Sequence, residues 1–263
     1  MILIDKYAYV SKLAKVSPKA KILFSMLPLL ICICFNSIIV SSITIVIMAF
    51  ATVRYGKLKF SKYMKFMLIP FGFLIVGTIT ILINRFTSDH LLLIGVRIGQ
   101  YAYGIDKESV RISVKLVLKA LGSVSCMYFL SLNTPMSDLF QVLSRTKLSP
   151  IIVMLMELIY RYIFVLLDEA ERMNIAKDSR LGNCNFKTSL RSTGEMISML
   201  FLRAYQRSDR IYAALESRGY NGKFATLDEE YIYSKKMNTS SILICCLLIS
   251  AWGMERFLLW RFM

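Results

Sequence analysis

Apolar residues in this chain gather into long blocks, separated by short stretches crowded with lysine and arginine. The first block, residues 22–53, runs without one charged side chain. As a single helix it would be about 48 Å long, against roughly 30 Å of membrane hydrocarbon. Asn36 and Ser37 lie near its middle, so two spans joined by a tight turn are predicted. Further blocks occupy residues 66–84, 114–132 and 242–260. Residues 151–167 are apolar too, but Glu157 and Arg161 interrupt them, and they are not counted as a span.

Flanking charge tests this division. Residues 1–21 carry five lysines and one acid, and residues 54–65 carry five basic residues and no acid. Short flanks rich in lysine and arginine face the cytoplasm. Both do so only if an even number of spans separates them, which two spans within 22–53 satisfy. The connection 84–111 holds four basic and three acidic residues, as an outer loop would, and residues 133–239 return inside. The expected fold is an all-α polytopic membrane protein with about five transmembrane helices. Four spans fall in residues 1–132, a helical cytoplasmic domain in 133–239, and a last transmembrane helix in 240–263. The N-terminus is cytoplasmic and the C-terminus outside. The first block is too long for a secretory signal and lacks a small-residue cleavage site, so it reads as a retained anchor.

Composition agrees. A mean hydropathy of +0.55 and 56% apolar residues exceed what an ordinary soluble domain carries. A net charge of +16 is compatible with a nucleic-acid partner, but ten of the basic residues lie in the two flanks just named. The lipid bilayer is therefore the expected partner, and nucleic acid is not. Six cysteines, mostly within spans, read as small apolar residues, with no framework of bridges implied.

Residues 168–239 have a different texture, with twelve basic and ten acidic residues. Apolar positions recur there at helical spacing, as in residues 195–218. Thr134-Pro135 followed by Ser137 and Asp138 signals a helix start, and Lys147 to Pro150 a break. Two stretches in this region repeat each other: EAERMNIAKDSRLGN and RSDRIYAALESRGYNG. Aligned on their arginines, they share Arg172/Arg210, Ala176/Ala214, Ser179/Ser217 and Arg180/Arg218. Gly182 and Gly219 follow closely, as glycine does just past a helix end. Two readings stand. Arginine in a last turn favours the helix dipole by a few tenths of a kcal/mol. Alternatively, each arginine is a rigid charged fork placed to enter a pocket on one of two related partners.

The chain resembles the transmembrane (T) component of energy-coupling factor transporters, most closely the cobalt-type CbiQ family. The likeness runs from IDKYAYVSKLAKVSPKAKILF through NTPMSDLFQVL and ELIYRYIFVLLDEAERMNIAKDSRLG to LFLRAYQRSDRIYAALESRGYNGKF. The last two carry what resemble the family's coupling motifs, Ser179-Arg180-Leu181 and Ser217-Arg218-Gly219, where the family usually has Ala-Arg-Gly. The resemblance implies an importer of cobalt or nickel ions in a prokaryotic plasma membrane. It implies two ABC-type ATPase subunits as partners, gripped through the two arginines, and a separate substrate-binding membrane subunit. It also implies that residues 151–167 form a long apolar coupling helix, on which Glu157 and Arg161, four apart, are placed to pair.

Absences fit that division of labour. Neither Gly-Lys pair, Gly56-Lys57 or Gly222-Lys223, belongs to a Walker A phosphate cradle, so ATP is expected to be used by partner subunits, with no cofactor bound by this chain. The single histidine, His90, lies beside Asp89 in the expected outer loop and reads as a solvated residue, so no metal site is expected. No catalytic constellation is visible, which argues against the competing reading, a membrane enzyme acting on an anionic lipid. A self-contained carrier should show polar interruptions in paired spans, and these spans are mostly unbroken. Arg111, Lys115 and Lys119 form a stripe entering the fourth span, expected to snorkel or face protein, the alternative being contact with the substrate subunit.

Overall fold

The structure is a computed structural model, and it describes residues 3–82, 84–87, 94–98, 101–220, 231 and 235–262. The described residues fold into two compact units, one of residues 2–138 with 230–263, the other of residues 139–229.

The first unit starts with the short helix α1 (Leu3–Val10), followed by α2 (Pro18–Cys34), α3 (Ile38–Gly56) and α4 (Phe60–Leu82). Two more long helices, α5 (Lys107–Asn133) and α9 (Lys235–Phe262), complete it. The turn expected at Asn36-Ser37 is present, and Ser37 caps α3 by accepting from the Val40 N–H at 3.2 Å. Asp106 caps α5, accepting from the Lys107 N–H at 2.7 Å and the Glu108 N–H at 3.4 Å.

The connection after α4 was expected only as an outer loop. It holds three short strands, β1 (Asn84–Thr87), β2 (Ile94–Ile98) and β3 (Tyr101–Ile105), in an antiparallel sheet with β3 in the middle. Tyr103 of β3 stands opposite both Arg85 and Val96. His90 and Asp89 lie outside the described residues.

Helix α5 is the hub of this unit, packing on α1, α2, α3 and α4. Phe24, Val40, Met48, Cys126, Phe129 and Leu248 form its core. Close approach depends on small residues and hydroxyls, as expected where helices cannot rely on excluding water. The Ser25 hydroxyl donates to the Cys126 carbonyl at 2.7 Å, and the Tyr63 hydroxyl meets Ser125 Oγ at 2.8 Å. A Cβ at Gly122 would come within 2.9 Å of Cys32 Sγ.

Among the described residues, five helices are long and apolar enough to cross a membrane: α3, α4, α5, residues Lys235–Glu255 of α9, and Pro150–Ser179. The protein is thus a multi-pass membrane protein. Helix α2 has 17 residues, about 26 Å, short of the hydrocarbon thickness. Pro150–Ser179 contains the apolar run that was expected to stay outside the bilayer, and only 6% of its most apolar window is buried.

The second unit holds most of the short helix α6 (Met136–Ser144) and two long ones, α7 (Pro150–Ser179) and α8 (Phe186–Ser217). Pro150 opens α7 at its first position, where a missing N–H costs nothing. Glu157 and Arg161 do not pair, a correction to the sequence reading: Arg161 is exposed, and a solvated ion pair gains too little to hold two long side chains together.

Candidate partner-docking tips

Helices α7 and α8 run antiparallel. The Tyr220 hydroxyl donates to Met154 Sδ, Arg203 pairs with Glu169, and Lys177 Nζ donates to Thr193 Oγ1. These three links tie the start of α7 to the end of α8, middle to middle, and the end of α7 to the start of α8. The two Ser-Arg motifs therefore stand at opposite ends of one helical hairpin. The 26 residues from Met154 to Arg180 put them roughly 40 Å apart.

Both ends are built alike. Arg180 is the C-cap of α7 and Arg218 the C-cap of α8. After Arg180, the Leu181 N–H bonds the Asp178 carbonyl at 3.0 Å and the Gly182 N–H bonds the Lys177 carbonyl at 2.9 Å. After Arg218, the Gly219 N–H bonds the Glu216 carbonyl at 2.9 Å and the Tyr220 N–H bonds the Leu215 carbonyl at 3.0 Å. Each is a Schellman motif, with the residue after the arginine in the left-handed region: Leu181 at φ 58° and Gly219 at φ 70°. The serines also match. Ser179 donates to the Ile175 carbonyl at 2.9 Å and Ser217 to the Ala213 carbonyl at 3.0 Å. Their hydroxyls are spent on their own helices, which leaves the arginines to face outward. Arg180 and Arg218 are exposed, and among the described residues neither guanidinium has a hydrogen-bond or ion-pair partner.

The glycine after the first motif plays a different part from the one expected. Leu181, not Gly182, takes the left-handed position. A Cβ at Gly182 would meet Lys177 Cγ at 2.5 Å and the Lys177 carbonyl oxygen at 2.9 Å, so crowding, not backbone sign, requires glycine there. Side chains knit the same turn. Ser192 donates to the Gly182 carbonyl at 2.8 Å, Ser189 donates to Asn183 Oδ1 at 2.9 Å, and Asn183 in turn donates to Asp178.

The hairpin leaves large apolar faces uncovered. Helix α8 has no buried residue. Leu190, Ile197, Phe201, Tyr205 and Tyr212 fall on one face of it, with exposures from 58% to 72%. Leu155, Ile159, Ile163 and Leu167 make an exposed row at four-residue steps along α7. Between the helices lies a cleft of about 280 Å³, lined by Leu158, Tyr162, Leu166, Ala204 and Ile211 among others. A face of this size and polarity marks a surface made to be covered.

Residues 10–228 match the family described as cobalt transport protein, CbiQ. The chain belongs to the CbiQ family. The match takes in both Ser-Arg motifs, and the family is one of transport components, which removes the lipid-enzyme alternative. An uncharacterized protein of Methanocaldococcus jannaschii is 33% identical over 225 residues, covering 86% of this chain and 83% of its own length. The cobalt transport protein CbiQ of Salmonella typhimurium is 28% identical over 221 residues, covering 84% of this chain and 98% of its own. The energy-coupling factor transporter transmembrane protein EcfT of Staphylococcus aureus is 26% identical over 129 residues, 44% of this chain and 48% of its own. As a member of the CbiQ family, this chain is a component of membrane transport.

One node of the first unit escaped the sequence reading. Lys21 is fully buried, its Nζ 3.5 Å from Asp138 Oδ2 and 3.4 Å from the Asn133 carbonyl. Tyr231 donates to the other Asp138 oxygen at 3.1 Å, and Ser11 donates to Asn133 Oδ1 at 2.9 Å. A signal was present: Lys21 is the last charge before the uncharged block, and Asp138 lies inside the quoted NTPMSDLFQVL. The stripe on α5 resolves partly in favour of protein contact, because Lys119 Nζ donates to Asn36 Oδ1 at 2.6 Å. Among the described residues, no three of His, Cys, Asp or Glu gather as metal ligands.

Proposed function

We propose that this chain is the transmembrane coupling component of an energy-coupling-factor importer, with Arg180 and Arg218 each entering a groove on one of two cassette ATPases. One observation carries the reading: two arginine tips of the same construction, free of partners among the described residues, stand at opposite ends of one hairpin. A pair of similar pockets some 40 Å apart is what such a hairpin fits. The ATPases bind and hydrolyse ATP, and this chain binds no cofactor of its own. Closure of the ATPases moves the tips, and the uncovered faces of α7 and α8 pass that movement to a substrate-binding membrane subunit. The cargo is a divalent transition-metal ion, cobalt first and nickel as its competitor, held by that subunit. The complex resides in the plasma membrane of a prokaryote with the N-terminus and both tips in the cytoplasm.

The test is co-purification of the ATPases with the tagged chain, alongside uptake of cobalt and of nickel in cells. Arg180→Ala or Arg218→Ala alone is expected to weaken both readouts, at a cost of about 2 kcal/mol of binding each. The double variant is expected to lose ATPase association while still inserting into the membrane. Normal uptake with normal co-purification in the double variant would reduce the tips to ordinary helix ends.

A further inference from the structure

We infer that α1, the segment after it and the α3–α4 turn form one binding face for the headgroups of anionic phospholipids. This goes beyond the coupling role and does not depend on it. The two basic flanks are separated in sequence by an uncharged block, yet the fold brings them together. The Lys12 N–H donates to the Tyr55 carbonyl at 3.1 Å, and the Ser11 hydroxyl reaches the same oxygen at 3.4 Å. Further along, Lys62 Nζ donates to the Tyr7 hydroxyl at 3.1 Å and lies 5.3 Å from the centre of its ring. Tyr7 also packs edge-on against Phe66. The result is a continuous surface, in place of two separate loops.

Its chemistry suits a charged lipid surface. Lys12, Lys15 and Lys19 from one flank and Arg54, Lys57 and Lys59 from the other are all exposed. No acidic residue occurs between positions 6 and 65. The nearest buried carboxylate described, Asp138, is already paired with Lys21, which lies under the surface. Lys57 itself caps α3 in the left-handed region at φ 52°, which fixes the turn that carries it. Exposed aromatic rings are set among the cations: Tyr9 at 48%, Tyr55 at 46% and Phe60 at 60%. Aromatic rings mixed with lysine and arginine mark the headgroup level of a membrane, and cations there are attracted to acidic lipids. Orienting the chain during insertion needs positive charge in each flank. It does not need the flanks joined by hydrogen bonds into one aromatic-studded face.

The full chain in detergent is titrated with fluorescent short-chain phosphatidylglycerol and, separately, phosphatidylcholine, and binding is read by anisotropy. Phosphatidylglycerol is expected to bind at least about tenfold more tightly at low salt, since each nearby cation contributes a several-fold gain. Half-molar salt should collapse that preference by screening. The variant K12Q/R54Q/K57Q/K62Q should lose it, whereas R145Q/K147Q/K187Q/R191Q, with equal charge removed elsewhere, should keep it. Equal affinity for both lipids in the unaltered chain overturns the proposal, and that arm needs no variant to fold. Equal loss in the two variants also overturns it, reducing the effect to net charge. Absence of lipid preference together with salt-sensitive binding of the purified ATPases to this face would assign it to a protein partner and equally overturn the lipid reading.

Discussion

Leu181 takes the left-handed position that Gly219 takes in the second cap, and Gly182 stands where the second cap has Tyr220. A leucine in the left-handed region costs roughly 1 kcal/mol, and Leu181, with 73% of its surface exposed, gains little burial to offset it. Leu181→Gly should relieve the strain, but a new glycine also gains freedom in the unfolded chain, so the net change in stability is expected to be near zero. Gly182→Ala has no such compensation, because the new methyl meets Lys177 backbone as well as side chain. It should destabilise the turn by about 1–3 kcal/mol, as overpacking does. Limited proteolysis of the full chain within residues 180–185 separates the two: faster cleavage for Gly182→Ala, unchanged cleavage for Leu181→Gly. At the tips themselves, lysine should not replace Arg180 or Arg218, because an ammonium lacks the planar fork; retained ATPase co-purification in Arg180→Lys/Arg218→Lys would show that charge alone suffices. The arginines were legible in the sequence because they repeat. The role of Gly182 was not, because crowding by Lys177 is a matter of three dimensions.

Helix α5 can serve as a hub only because its neighbours come close, and the Lys21–Asp138 pair fixes one end of that arrangement. A buried ion pair is weak support on balance, but removing one partner strands the other. Lys21→Leu alone should cost about 3–5 kcal/mol, and Lys21→Leu with Asp138→Leu should recover most of it. Thermal unfolding of the purified chain checks this; a double variant as unstable as the single one would mean that the node's other hydrogen bonds carry the effect. Most elements could be read from periodicity and caps: the Asn36-Ser37 turn, the start of α6 near Met136, the break before Pro150. Helix α7 runs past its apolar stretch 151–167 to Ser179, and α8 starts at Phe186, ahead of its periodic stretch 195–218, because polar and charged turns continue a helix without leaving an apolar trace. The strands of residues 84–105 were missed for a related reason, since a short sheet in a mixed polar connection has no sustained alternation.

The topology of the whole chain turns on α2 and α7. If α2 spans the membrane and α7 does not, position 106 lies outside and position 187 inside. If α7 spans and α2 does not, the basic turn at 54–65 falls outside and position 106 inside, against the positive-inside rule. Cysteine labelling from the outer side should therefore modify a probe at 106 and spare one at 187; protection of both would exchange the roles of α2 and α7. The antiparallel hairpin adds a consequence of its own. Two helices running in opposite directions, each ending in the same cap, are related by an approximate two-fold axis, although the chain is a single copy without internal duplication of its spans. A two-fold symmetric pair of identical proteins therefore meets the same tip in each half, so one monomer is enough to seat a homodimer. The symmetry is broken locally by Leu181-Gly182 against Gly219-Tyr220, which gives two non-identical partners a means of telling the ends apart.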